Sequence, residues 1–196
     1  MLEIGTLLFY AFLVVFTLIV AKVLPFPKAI TKRKTVTSPL NSRKWSDVFS
    51  FLGLTYKKGQ LKQIVFDTFA LFFVIIFILT LESVLLSAFN LDDSSKVAVV
   101  ISEFSLLTII ISSTLGPFAE EVFFRGFLQK YLGVFIAALI FAGLHFGFGS
   151  VTEIIGAFTA GIILGYWVKY RSVSLWPAIA AHGFYNLVSI LLVVVK

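Results

Sequence analysis

Residues 64–89 read IVFDTFALFFVIIFILTLESVLLSAF, 26 consecutive positions in which only Asp67 and Glu82 carry charge. As a helix this run would be about 39 Å long, and about 20 apolar residues already cross a 30 Å hydrocarbon layer. The composition agrees: 59% of the 196 residues are hydrophobic and 13% charged, with a mean hydropathy of +1.03. A soluble domain is about half apolar and about a quarter charged, so a soluble globular protein is excluded. The chain has no cysteine, which removes disulfides, thiolate metal sites and a cysteine nucleophile.

Working outward, further apolar stretches fall at 4–24, 97–115, 117–131, 134–146, 151–169 and 175–195. All read as helices. The expected fold is all-α: a polytopic transmembrane bundle of about seven helices, some too short to span fully, forming one integral-membrane domain over 1–196. Its catalytic core would be about 115–195, and helices 4–24 and 64–89 would flank a basic loop at 25–63. Pro25 and Pro27 end the first helix, Asn90 to Ser95 form an acidic loop, and Gly116 with Pro117 interrupts one long segment. Met1 to Gly5 lack the basic residues of a cleaved signal, so the first helix reads as retained.

The charge of +6 gathers in that loop, in Lys28, Lys32, Arg33, Lys34, Arg43, Lys44, Lys57, Lys58 and Lys62. The positive-inside rule places it in the cytosol. The Asp92/Asp93 loop is then expected outside and Lys196 inside, with Lys169 and Arg171 as exceptions on the outer side. Trp45, Val48, Phe49 and Leu52 recur at helical spacing opposite Ser46, Asp47 and Ser50, which predicts a short interfacial helix in contact with membrane lipids. Ala157, Gly161 and Gly165 share one face of the sixth helix, where close packing needs small residues. Tyr166, Trp167, Tyr170 and Trp176 read as membrane-interface anchors. A basic loop with a single Trp is no nucleic-acid signature.

An ionisable group in mid-membrane costs about 2.5–3.5 kcal/mol on the insertion scale, so each needs a partner or a task. Asp67, Glu82, Glu103 and Glu153 stand singly, Asp67 and Glu153 near enough to helix ends to reach water. Glu120, Glu121 and Arg125 sit together, and the only two histidines, His145 and His182, lie in apolar helices, with Asn186 one turn after His182. Glu121 and Arg125 are spaced i, i+4 and can pair, which leaves Glu120 pointing about 100° away. Phe141 lies one turn before His145 and can shield it.

Hung from a tip near Leu132, taken to lie at the outer face, Glu120 and His145 come out roughly 18 and 20 Å deep; His182 and Asn186 lie roughly 10 and 17 Å below Leu175. The four can meet. Helices 117–131 and 134–146 are too short for a 30 Å core, so their inner ends should leave a polar cavity facing the cytosol. A carboxylate, two imidazoles and a carboxamide suit water-activating hydrolysis. Glu120 would take a proton from water that His145 holds, while His182 and Asn186 would donate to an oxyanion. A two-histidine, one-carboxylate zinc site built from His145, His182 and Glu120 is the alternative use of the same groups. A non-catalytic scaffold and a proton-coupled carrier are others, though the carrier predicts a repeat that the sequence lacks. No HExxH helix and no Gly-x-Ser-x-Gly elbow are present.

The stretches Glu120-Glu121-Val122-Phe123-Phe124-Arg125, Phe141-Ala142-Gly143-Leu144-His145 and His182-Gly183-Phe184-Tyr185-Asn186 resemble the EExxxR, FxxxH and HxxxN motifs of the CPBP family, the CAAX proteases and bacteriocin-processing enzymes. Each motif alone is weak, but three in order on successive helices make the resemblance specific. It implies a glutamate intramembrane endopeptidase that uses a catalytic water and no metal cofactor. On that pattern Glu120 and His145 activate water, His182 and Asn186 form the oxyanion site, and Glu121 and Arg125 support them. The implied partner is a peptide or protein substrate, prenylated or otherwise membrane-associated. The family also includes immunity and regulatory membrane proteins. Prenyl-endopeptidase members often carry one further helix after the third motif.

Overall fold

In hydrocarbon a helix satisfies its own backbone groups, and every regular element among the described residues is helical. The computed structural model describes residues 2–27 and 44–195; Lys28, Lys32, Arg33, Lys34, Arg43 and Lys196 lie outside them. The elements are α1 (Leu2–Val23), α2 (Trp45–Leu52), α3 (Leu61–Ala88), α4 (Ser95–Ser102), α5 (Leu106–Ser113), α6 (Leu115–Glu121), a π-helical stretch (Val122–Leu128), α7 (Gln129–Leu144), a 3-10 turn (His145–Phe148), α8 (Val151–Tyr170) and α9 (Trp176–Val194).

Five stretches are long and apolar enough to cross a membrane: 4–23, 61–88, 106–148, 151–170 and 176–194. The third doubles back. Gly133 has φ +83° and ψ 168°, a conformation that costs glycine little and other residues much. Across this turn Phe124 and Phe141 meet edge-on, 5.1 Å between ring centroids. The expected hairpin with its tip near Leu132 therefore forms.

The side on which that tip lies is different from the expectation. Tyr131 Oη donates to the Pro25 carbonyl (3.2 Å), and Lys130 Nζ lies 4.5 Å from the centroid of the Phe51 ring. At the same end the Leu175 N–H donates to the Gly53 carbonyl (2.8 Å), and Trp176 Nε1 donates to the Leu54 carbonyl (3.2 Å). The hairpin tip and the 171–175 loop thus share one end of the bundle with the chain that enters and leaves the basic loop. Lys169 and Arg171 join this basic end and are no longer exceptions.

At the opposite end Asp93 holds the start of α8. It accepts the Ser150 hydroxyl (2.7 Å) and the backbone N–H groups of Val151 (3.1 Å) and Thr152 (3.0 Å). These bonds, together with the Lys96 ammonium at 3.0 Å, hold the Asp93 carboxyl well below the ordinary carboxylate range. Asp93 and Tyr131 lie at opposite ends, so α4, α5, α6 and the π stretch make one broken crossing between them. The described chain passes between the ends six times, not the expected seven, because 97–115 and 117–131 share a crossing.

The packed core fills the basic half: Val48, Phe51, Leu52, Val122, Phe127, Leu175, Ala178 and Ala181 are buried together. The helix predicted at Trp45 forms as α2, with Val48, Phe51 and Leu52 turned onto the bundle and Trp45 and Phe49 outside. The α8 stripe does pack: a side chain at Gly161 would stand 3.0 Å from Ala138, and one at Gly165 2.5 Å from Val134.

Candidate active site

The acidic half is hollow. A cavity of about 880 Å³ there is lined by all four predicted catalytic residues, Glu120, His145, His182 and Asn186, with Phe141 in its wall. Under it lies a buried charge pair. Arg125 Nη1 donates to Glu121 Oε1 at 2.7 Å, and the two side chains are 2% and 0% exposed. The π-helical winding of Val122–Leu128 directly follows the two glutamates; such stretches often accompany functional sites. The i, i+4 pairing read from the sequence is therefore present.

A second connection was not legible there. His182 Nδ1 also meets Glu121 Oε1, at 2.9 Å. A carboxylate only accepts, so His182 donates from Nδ1 and presents Nε2 on the other side of the ring. That Nε2 lies 3.8 Å from Glu120 Oε2. Glu121 thus orients the histidine that faces Glu120, a role beyond neutralising Arg125. Glu120, as its position about 100° further round the helix required, points into the cavity.

His145 is set in a similar way. Its Nδ1 is 3.0 Å from the Phe141 carbonyl, which can only accept, so Nε2 is the nitrogen left with a lone pair in the neutral ring. Phe141 does more than cover one imidazole: its ring centroid is 4.7 Å from that of His145, 6.0 Å from that of His182 and 4.5 Å from the Arg125 guanidinium carbon.

Asn186 is held from α5. Its Nδ2 donates to the Ser112 carbonyl at 3.0 Å, which leaves its second N–H and its carbonyl uncommitted by that bond. This contact depends on Gly183, where a Cβ would stand 2.5 Å from the Ser113 carbonyl oxygen. Only a residue without a side chain lets α9 come so close to the end of α5.

The sequence reading missed Tyr10, which lines the cavity together with Glu120. A tyrosine in an apolar first helix carries no motif, and only its neighbour across the bundle marks it. Glu82 and Glu153 also line the cavity, and Glu82 Oε2 accepts the Thr159 hydroxyl at 2.5 Å. Asp67 does not reach water as expected: it is fully buried, with Gln63 Nε2 donating to its Oδ1 at 2.8 Å. Glu103 caps α4 and stays outside the site. Among the described residues no three His, Cys, Asp or Glu groups are placed to hold a metal ion.

Residues 102–188 match the sequence pattern of the family described as Type II CAAX prenyl endopeptidase Rce1-like. Among curated proteins, the chain is 44% identical over 59 residues to the uncharacterized protein YpbD of Bacillus subtilis, covering 30% of this chain and 31% of that one. It is 27% identical over 96 residues to an uncharacterized protein of Mycoplasma capricolum, covering 46% and 29%. The chain thus spans less than a third of the length of these two relatives. No solved structure matches it. The five long apolar helices are those of an integral membrane protein. The matched stretch, 102–188, carries the glutamate pair, Arg125, both histidines and Asn186, and in it the chain is similar to the Rce1-like family.

Proposed function

We propose that the protein is an intramembrane endopeptidase that hydrolyses peptide bonds near the C-terminus of prenylated CAAX-type or other membrane-associated substrates. The observation that carries this reading is the approach of Glu120 Oε2 to His182 Nε2, 3.8 Å apart, on the wall of a cavity large enough for a peptide segment. Water in the cavity is the nucleophile. Glu120 takes its proton while His145 Nε2 holds it, and the hydroxide oxygen adds to the scissile carbonyl carbon. The oxyanion receives hydrogen bonds from the Asn186 amide and from Nε2 of an imidazolium His182, donors of a kind worth about 2.7–4 kcal/mol each. The C–N bond then breaks as Glu120 returns the proton to the leaving nitrogen. Glu121 and Arg125 keep His182 in place and touch no substrate.

The test is cleavage of a quenched fluorescent farnesylated CAAX peptide by the detergent-purified protein, as wild type, as Glu120→Ala, and as wild type with a strong chelator. Activity that survives the chelator and is lost with Glu120→Ala is the expected result. Activity lost to the chelator and restored by zinc replaces the mechanism with a metal-dependent one on His145, His182 and Glu120. No cleavage of prenylated or unprenylated peptides, with Glu120→Ala as stable as wild type, overturns the hydrolase reading in favour of a scaffold.

A further inference from the structure

The described flanks of the basic loop and the cavity lie at opposite ends of the bundle, so a cytosolic attachment of that loop and a cytosol-facing cavity cannot both hold. Among the described residues the positive charge is one-sided. Lys22, Lys44, Lys57, Lys58, Lys62, Lys130, Lys169 and Arg171 are at the basic end, and both flanks of the 28–43 segment attach there, with five more basic residues between them in sequence. At the other end Lys96 stands beside Asp92 and Asp93, paired with the latter. Arg125 is buried against Glu121 and takes no side.

The cavity is equally one-sided. Its rim includes Ser94, Ser95, Phe148 and Thr152, all from the Asp93 end. Towards the basic end it is stopped by the Glu121–Arg125 pair and, beyond it, by the packed Val48, Leu52, Phe127 and Leu175. Basic residues near the ends of membrane helices stay in the cytosol during insertion, largely regardless of acidic residues.

We infer that the cavity opens away from the cytosol. Its substrate is then a peptide segment presented from the outer side of the membrane, either anchored in the outer leaflet or emerging from it, which narrows the proposed substrates to membrane-associated segments reached from that side; a peptide offered to the detergent-purified protein is free of this restriction. This rests on the proposed reaction only for the word substrate; the orientation stands without it.

The absence of cysteine makes the test direct. Single cysteines are placed at Ser95 and Leu91, exposed at the cavity end, and at Lys58 and Arg171, exposed at the basic end. Intact cells are treated with a membrane-impermeant maleimide, with permeabilised cells as the reference for full reactivity. The expected result is labelling of Ser95→Cys and Leu91→Cys in intact cells, and of Lys58→Cys and Arg171→Cys only after permeabilisation. The reverse pattern, or labelling of both ends in intact cells, overturns the inference. Two positions per end keep one misfolded variant from deciding it. Labelling needs no turnover, so an inactive protein with the expected pattern counts against the peptidase reading alone.

Discussion

The two halves of the bundle use the same helices in opposite ways. At the basic end α2, the hairpin tip and the start of α9 close over a dry core, with Val48, Leu52 and Ala178 fully buried. At the acidic end α4 and α5 are only eight residues each, and the hairpin returns to His145 after about 18 Å of rise from Gly133. Helices that stop short of a 30 Å layer leave space, and polar side chains can occupy it because water can enter. On the proposed reaction, stability and chemistry are thereby divided between the halves, with the Glu121–Arg125 pair at the boundary.

If that division is right, variants on either side of the boundary should fail differently. Glu120→Ala is expected to lower kcat by about 100-fold to 10,000-fold, the span of general acid–base contributions, while thermal unfolding in detergent stays within about 0.5 kcal/mol of wild type. A large loss of stability there would erase the distinction between cavity and core. Arg125→Ala should do the reverse of what Glu120→Ala does to the fold. It leaves a buried Glu121 carboxylate without its guanidinium, a loss of about 3–5 kcal/mol, measurable as a lower unfolding midpoint alongside lost activity.

Gly183→Ala places a methyl group 2.5 Å from the Ser113 carbonyl. An overpacking cost of about 1–3 kcal/mol is expected, together with reduced kcat as Asn186 is pushed from Ser112. Unchanged kinetics would remove Asn186 from the reaction. The smallest effect sharpens the acidic end itself. Because the Asp93 carboxyl is held below its ordinary value of 3.8, its contribution to stability is complete above that pH and is lost as pH falls below it towards the folded-state value. The unfolding midpoint should therefore be insensitive to Asp93 between neutrality and about pH 4 and fall in more acid solution. Asp93→Asn should flatten that fall.

Particular residues show how far one-dimensional reading reaches. The i, i+4 arithmetic placed Glu121 against Arg125 and turned Glu120 away, and both follow from helical winding, which the π stretch after Glu121 leaves intact at that pair. The small stripe of α8 was legible for the same reason. Asp67 was misread because the sequence shows distance from a helix end, but not the neighbouring helices that cover it. Tyr10 and Ser112 could not be found at all, since their part depends on which helix lies across the bundle.

By itself the sequence determined that this chain is a bundle of membrane helices, where it breaks, and which polar groups hydrocarbon would not retain without a partner or a task. Those are local matters of hydropathy, proline and glycine, and helical period. Only the tertiary structure decided that 95–131 makes one broken crossing, that Glu121 joins Arg125 to His182, and that the cavity lies opposite the end where the chain enters and leaves the basic loop. The physical reason is that an apolar helix has no polarity that says which way it runs or which neighbour it meets. Long-range contacts such as Tyr131 to Pro25 and Asp93 to Ser150 supply that choice.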